Sequence, residues 1–295
     1  MEKKIVLGID FGGTKIKIGL VLENGKILGE ALDLLTESHR REDEIIGTMV
    51  EGIERITQNS DLTFQQIVGI GIGSPGPLDL KNGTILDPPN LPTLHNFPLK
   101  QTLENYFNLP VAINNDANCF VLGEAYFGTA QNAAIVCGAT LGTGFGLGVV
   151  IDRKIYTGST GTAAEVWCSP YADQNFEAYG SARAITRIYQ QITGQELEAR
   201  EIFDLAEQAD QDAIAAWSEF GVHLGRIFAI ITNLLDPDVI VLGGSVSHAW
   251  EFFYSSLIEN LHNNINQAPR EHIQVVRTVL GDNAGVLGAA ALLLS

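Results

Sequence analysis

Two short runs of mostly β-branched apolar residues, KIVLGI at 4–9 and IKIGLVL at 16–22, lie on either side of a glycine turn, DFGGTK at 10–15. Apolar runs that flank such a turn predict a β-hairpin. The chain then dips into a second turn, Glu23-Asn24-Gly25-Lys26, and rises into a third strand near 27–33. Over 43–57 the period changes: Ile45, Ile46, Met49, Val50, Ile53 and Ile56 recur at helical spacing, and the next strand is IVGIGIG at 67–73. The opening order is β-β-β-α-β.

The same device returns later, with AAIVCGAT (133–140) entering the turn LGTGFG (141–146) and LGVVID (147–152) leaving it. Two such hairpins with helices between strands point to a duplicated architecture, by pattern rather than by residue identity. The stretch 182–236 reads as helical, ends in apolar residues 227–235, and is stopped by Asp236-Pro237. A buried strand, DVIVLGG at 238–244, follows, and the uncharged, Ala- and Leu-rich 283–294 reads as a buried helix. Nothing between 40 and 290 has the composition of a flexible linker.

Composition sharpens this. With 45% hydrophobic and 18% charged residues in 295, the chain is expected to fold almost throughout. A formal charge of −17 repels nucleic acid and anionic membrane, whose binding draws on clustered Lys and Arg. It does not forbid a nucleotide, because backbone N–H groups and a divalent cation can offset phosphate charge locally. Cys119, Cys137 and Cys168 are odd in number and widely spaced, which excludes a disulfide framework and a four-cysteine zinc site and fits a reducing compartment. After Met1-Glu2-Lys3-Lys4 the apolar run 5–9 is too short for a signal peptide or a membrane span, so a cytoplasmic protein is expected.

The glycine turns suggest chemistry. In DFGGTK, Gly12 and Gly13 let the main chain approach a phosphate, Thr14 and nearby N–H groups can donate to its oxygens, Lys15 adds a cation, and Asp10 is a candidate for Mg²⁺, held through water. Gly142, Thr143 and Gly144 repeat the setting in LGTGFG. Gly243 and Gly244 end a strand where a flat ring can lie against bare backbone. Each motif alone is equally well a simple turn, and the information lies in their order.

In that order the chain resembles the ROK family (repressors, open reading frames and kinases) of the actin, hexokinase and Hsp70 superfamily. The resemblance runs through GIDFGGTKIKIGLV (8–21), GIGSPGPLD (71–79), INNDANCFVLGEAYFG (113–128), LGTGFGLGVVIDRKIYTG (141–158), LLDPDVIVLGG (234–244) and GDNAGVLGAA (281–290). It implies an α/β fold of two actin-like (ribonuclease H-like) domains, with mixed sheets flanked by helices and a cleft between them. The expected division is 1–116 with 281–295, and 117–280. ATP with Mg²⁺ is the implied donor, a hexose or amino-sugar the acceptor, and a homodimer the expected assembly.

In a kinase of this kind one carboxylate takes the proton of the attacking hydroxyl. Asp116, between a strand at 111–113 and a helix at 117–126, is the candidate base; the alternative is that it only caps that helix. The resemblance further implies that Asn115 bonds the sugar, that Gly76 brings backbone against it, and that Asn90 is a further contact, although Asn90 between prolines also reads as a turn residue. Glu165 in AAEVWC and Glu177 in NFEAYGS match two family carboxylates suited to vicinal hydroxyls, or else are solvated helix charges. The chain departs from the family where relatives carry a zinc-binding histidine and a CxCGxxGC cluster. Here Cys168 replaces the histidine and SPYADQN follows, so no structural zinc is expected. Trp167 and Tyr171 either pack this loop or stack on the sugar.

Three rivals stand beside the glucokinase-like reading. A repressor of the family would need a DNA-binding segment ahead of Asp10, which comes within ten residues of the start. A non-catalytic sugar sensor would keep the fold without turnover. A polyphosphate-using kinase would keep the chemistry and change the donor.

Overall fold

The computed structural model describes residues 4–60 and 62–294, so Met1, Glu2 and Lys3 of the leader reading lie outside it. Strands β1 (Ile5–Phe11) and β2 (Lys15–Leu22) pair antiparallel as the pattern predicts, with Asp10 opposite Lys17. The turn that follows is closed by Leu22 N–H donating to the Lys26 carbonyl at 2.9 Å. Strand β3 is Leu32–Leu35 rather than 27–33. Ile27 makes only an isolated bridge to Val21, and Gly29, at φ +70, turns the chain before regular pairing begins. Helix α1 (Glu42–Asn59) buries the predicted stripe, including Ile45, Met49 and Ile53, and carries Glu42, Asp43 and Glu44 in its first turn, where the helix dipole favours them.

Strand β4 (Ile67–Ser74) lies parallel to β1. A small hairpin, β5 (Leu78–Asp79) with β6 (Thr84–Ile85), and helix α2 (Leu99–Phe107) lead to β7 (Val111–Asn115), parallel to β4. Helix α3 (Asp116–Phe127) follows at once. The sheet order is β3-β2-β1-β4-β7.

The second sheet repeats that plan. Its strands β8 (Ile135–Leu141), β9 (Phe145–Ile151) and β10 (Lys154–Ile155) form the opening series. A two-stranded hairpin, β11 (Pro170–Tyr171) with β12 (Gln174–Asn175), precedes helix α4 (Phe176–Gly180). The helical stretch resolves into α5 (Ala182–Thr193), α6 (Ala199–Glu207) and α7 (Gln211–Leu235), and Asp236 ends it in the left-handed conformation before Pro237. Then come β13 (Val239–Gly243), α8 (Trp250–Asn264), α9 (Gln267–Arg270) and β14 (Gln274–Arg277), with order β10-β9-β8-β13-β14. In both sheets the first strand sits between its hairpin partner and a parallel fourth strand, so the duplication read from pattern is present in the topology. Among the described residues α7 is the one helix long and apolar enough to cross a membrane. Its Trp217, Phe220, Leu224 and Phe228 are buried against Phe253, Leu257 and Leu261 of α8, which is how a core helix is used.

The chain ends in helix α10 (Ala284–Ala291), whose Val286 and Ala290 are buried against Val6 and Val21. Residues divide into two compact units, Met1–Asn132 with Val150–Thr162 and Val279–Ser295, and Ala133–Val149 with Ala163–Thr278. Helix α3 therefore falls in the first unit, beyond the expected boundary at 116, because it packs on α10.

Candidate active site

In the first unit the candidate residues gather at the carboxyl ends of the parallel strands, the edge where open α/β sheets present their ligands. Asp10, near the end of β1, pairs across to Gly73 at the end of β4. Burial pushes its carboxyl pKa up, the charge of Asp33 acts in the same direction, and Lys17 acts against both. The turn beyond it is a built structure: Gly12 N–H donates to the Lys15 carbonyl at 2.8 Å, and Thr36 holds the turn with its hydroxyl on the Gly12 carbonyl (2.6 Å) and its N–H on the Thr14 carbonyl (2.9 Å). Thr14 and Lys15 are exposed at the tip. Gly13 leaves no room for a side chain, since a Cβ there would lie 2.4 Å from the Asn90 carbonyl oxygen. Asn90 is itself exposed, so the structure brings two of the sequence candidates together.

Strand β7 delivers Asn115 and α3 begins at Asp116. The cap is Asn115: its Oδ1 accepts from Ala117 N–H at 2.9 Å and Asn118 N–H at 3.4 Å, which satisfies donors left open at a helix start. Asp116 Oδ1 also accepts from Ala117 N–H, at 2.8 Å. Behind them a buried pair, Asn114 Oδ1 with Asn118 Nδ2 at 2.9 Å, fixes the junction. Cys119, fully buried one turn on, has its thiol pKa raised by desolvation and then by the charges of Asp116 and Asp10, so both carboxylates act on one point. Gly76 follows β4 and is joined to Pro77 by a cis peptide bond.

In the second unit Gly142, Thr143 and Gly144 link β8 to β9, with Gly142 N–H donating to the Gly144 carbonyl at 3.1 Å and Ala182 N–H, at the start of α5, donating to the Gly142 carbonyl at 2.8 Å. Glu177 lies directly on this turn, its Oε2 accepting from Phe145 N–H at 3.3 Å. Gly244, at φ +81, follows β13, and beside it is a cavity of about 110 Å³ lined by Ala182, Phe203, Trp217, Ser245, Val246 and His248. Its walls are chiefly apolar and aromatic, suited to a flat ring.

The loop 163–177 is also in this unit. Glu165 is exposed as a residue, yet partial desolvation of its carboxyl raises the pKa, with Trp167 Nε1 donating to Oε2 at 3.1 Å and working in the opposite sense. Cys168 is exposed. Trp167 remains 44% exposed and is tied to the loop through Glu165, whereas Tyr171 packs, with its ring against Phe176, Tyr179 and His223. Among the described residues no group of three or more His, Cys, Asp or Glu is placed to share a metal ion.

Sequence reasoning did not single out Thr36, Asn114, Asn118, Ser245, His223 or Gly285, the last of which lies against the Asp10 carboxyl. Gly285 and Asn118 lie inside quoted motifs without a role, while Thr36 and His223 carried no local signal at all.

Two units on one strand order, each with a glycine turn beside its first strand, define an actin-like α/β protein. The chain belongs to the ROK family, whose model matches residues 6–295. It is 32% identical to a glucokinase of Thermotoga maritima, over 99% of this chain and 98% of that protein. It is 28% identical to a xylose repressor of Caldicellulosiruptor bescii, over 98% of this chain and 78% of that protein. Among solved structures it is similar to a ROK family glucokinase from Streptomyces griseus in complex with glucose and AMPPNP, with TM-score 0.82, 30% identity and 98% of each chain covered.

Proposed function

We propose that this protein phosphorylates a hydroxyl of a hexose or amino-sugar, glucokinase-like at the 6-position, with ATP as donor and Asp116 as general base. The observation that carries this reading is the placement of Asp10 and Asp116 at the carboxyl edge of one sheet, where Asp10 is in register with Gly73 and Gly73 with Asn114, beside the Asn115 N-cap with which Asp116 shares the Ala117 N–H. The T. maritima glucokinase and the nucleotide-bound S. griseus glucokinase support sugar phosphorylation and ATP use.

In this reading Asp116 accepts the proton of the acceptor hydroxyl as that oxygen attacks the terminal phosphorus and ADP leaves. Within the first unit the candidate sugar contacts are Asn115, Gly76 and Asn90, and within the second unit they are Glu165, Cys168 and Glu177. In the first unit the backbone of Gly12, Gly13 and Thr14, with Lys15, is the candidate phosphate cradle; in the second unit Gly142, Thr143 and Gly144 form a like turn, and the cavity after Gly243 and Gly244 takes the base. Asp10, a desolvated carboxylate at the end of β1, is the residue that would hold Mg²⁺ through water. The ion supplies neutralisation of phosphate charge. We also read the protein as cytoplasmic and homodimeric, the latter open to light scattering.

A second reading, a sugar-responsive regulator without turnover, is favoured by the xylose repressor relative. Sugar-stimulated ADP release, followed across glucose, mannose, N-acetylglucosamine and N-acetylmannosamine, separates the two. Sugar binding by thermal shift without ADP release, and without sugar phosphate when polyphosphate replaces ATP, supports the regulator and sinks the kinase.

A further inference from the structure

The hairpin β11–β12 has only two residues in each strand, too little to hold itself, and its turn passes through Ala172 at φ +51. Yet it connects Glu165 and Cys168 to Glu177. What anchors it is a set of side chains contributed by α4, α5 and α7. Tyr171 OH lies 3.1 Å from His223 Nδ1, with the two rings edge to face. Tyr179 lies against both rings, at 5.0 Å from Tyr171 and 4.5 Å from His223, and its hydroxyl donates to Asp173 Oδ1 in the hairpin turn. The Arg187 guanidinium covers the outer face of Tyr179 at 4.2 Å.

The protonation state fits. Desolvation and the neighbouring Arg226 and Arg187 lower the His223 pKa, so the ring is neutral near pH 7. A neutral ring accepts the Tyr171 proton at Nδ1 and carries its own on Nε2, which faces Glu219 Oε1 at 3.9 Å.

We infer that Tyr171 and His223 form a clasp that positions the acceptor loop 163–177, and with it Glu165, Cys168 and Glu177. This rests on the sugar-kinase reading for the meaning of that loop, though not for the existence of the clasp. His223 and Tyr171 are positioning residues: neither is assigned a contact with substrate.

The test is hydrogen exchange and steady-state kinetics on the full chain carrying Tyr171→Phe, His223→Phe or His223→Asn. Tyr171→Phe keeps the ring and removes the hydroxyl that meets both His223 and Arg226, so it should speed exchange in 163–177 and raise the sugar KM, each about two- to tenfold, with the ATP KM unchanged. His223→Asn retains an acceptor near the Nδ1 position and should lie closer to wild type than His223→Phe. Unchanged exchange in Tyr171→Phe overturns the clasp, and so do sugar and ATP KM values that rise together. If the wild-type protein phosphorylates no sugar, the kinase reading fails and the exchange arm alone decides the clasp.

Discussion

Gly285, in the first turn of α10, stands against the Asp10 carboxyl so closely that a Cβ there would fall 2.4 Å from Oδ2. The C-terminal helix is thus the wall behind the acid at the end of β1, and its amino end is where an anion is best tolerated. Gly285→Ala must displace Asp10 or the helix. The expected result is a loss of about 1–3 kcal/mol in stability, the usual cost of overpacking, together with weakened ATP-dependent turnover. Denaturant unfolding and the ADP-release assay check it; unchanged values in both would mean the wall is softer than the geometry implies.

Asp10 is itself costly to the fold. Burial raises its carboxyl pKa above 3.8, so the stability it contributes is fully present below that value and is lost as pH rises through the folded pKa. Above its folded pKa the wild-type protein carries the charged, desolvated form, which burial disfavours. Asp10→Asn should therefore unfold at higher temperature than wild type at pH 7, the difference should shrink toward pH 4, and turnover should be lost throughout. A variant less stable than wild type at pH 7 would contradict this.

The frame was legible in the sequence because local physics writes it. Continuous apolar runs and glycine turns mark β1, β2, β4, β8, β9 and β13, and the stripe from Ile45 to Ile56 marks α1. Strand β3 was misplaced because the apolar residues at 27 and 28 look like strand, while the turn at Gly29 that delays pairing is a property of backbone conformation. The region 250–277 was not divided into elements, since α8 buries only Phe253, Leu257 and Leu261 and shows a weak pattern. Candidate residues were found where motifs are contiguous, as at 113–118. Tyr171 and His223, 52 residues apart, meet only through tertiary packing, so no window along the chain could pair them.

Asn115 has two roles to separate. As the N-cap of α3 it should cost about 1 kcal/mol when replaced by alanine, whereas serine, an equally good cap, should restore that stability. If it also bonds the sugar, Asn115→Ser will keep the melting temperature and still raise the sugar KM. A serine variant with wild-type KM would leave Asn115 with the cap alone.

Asp116→Asn keeps an acceptor for Ala117 N–H and removes the basic oxygen. The expectation is a fall in kcat of about 10²–10⁴, the usual contribution of a general base, with sugar binding retained in thermal shift. Near wild-type kcat would remove the proposed base.

His223 sets a pH window for the second unit. Desolvation first, then Arg226 and Arg187, hold its folded pKa below the 6.5 of a free imidazole, while Glu219 at 3.9 Å is the one acid placed to favour the charged ring among the described partners. Between the folded pKa and 6.5 the unfolded chain binds the extra proton, so unfolding gains as pH falls. The stabilisation from the neutral ring is therefore full above about pH 6.5 and lost as pH drops through the folded value. Protonation also removes the Nδ1 acceptor that Tyr171 uses, so exchange in 163–177 should accelerate over the same interval. His223→Asn cannot titrate there. Its stability relative to wild type should be level from pH 7.5 to about pH 6.5 and improve below that toward pH 5, read by denaturant unfolding at each pH, and a difference that stays constant throughout would show that another group carries the transition.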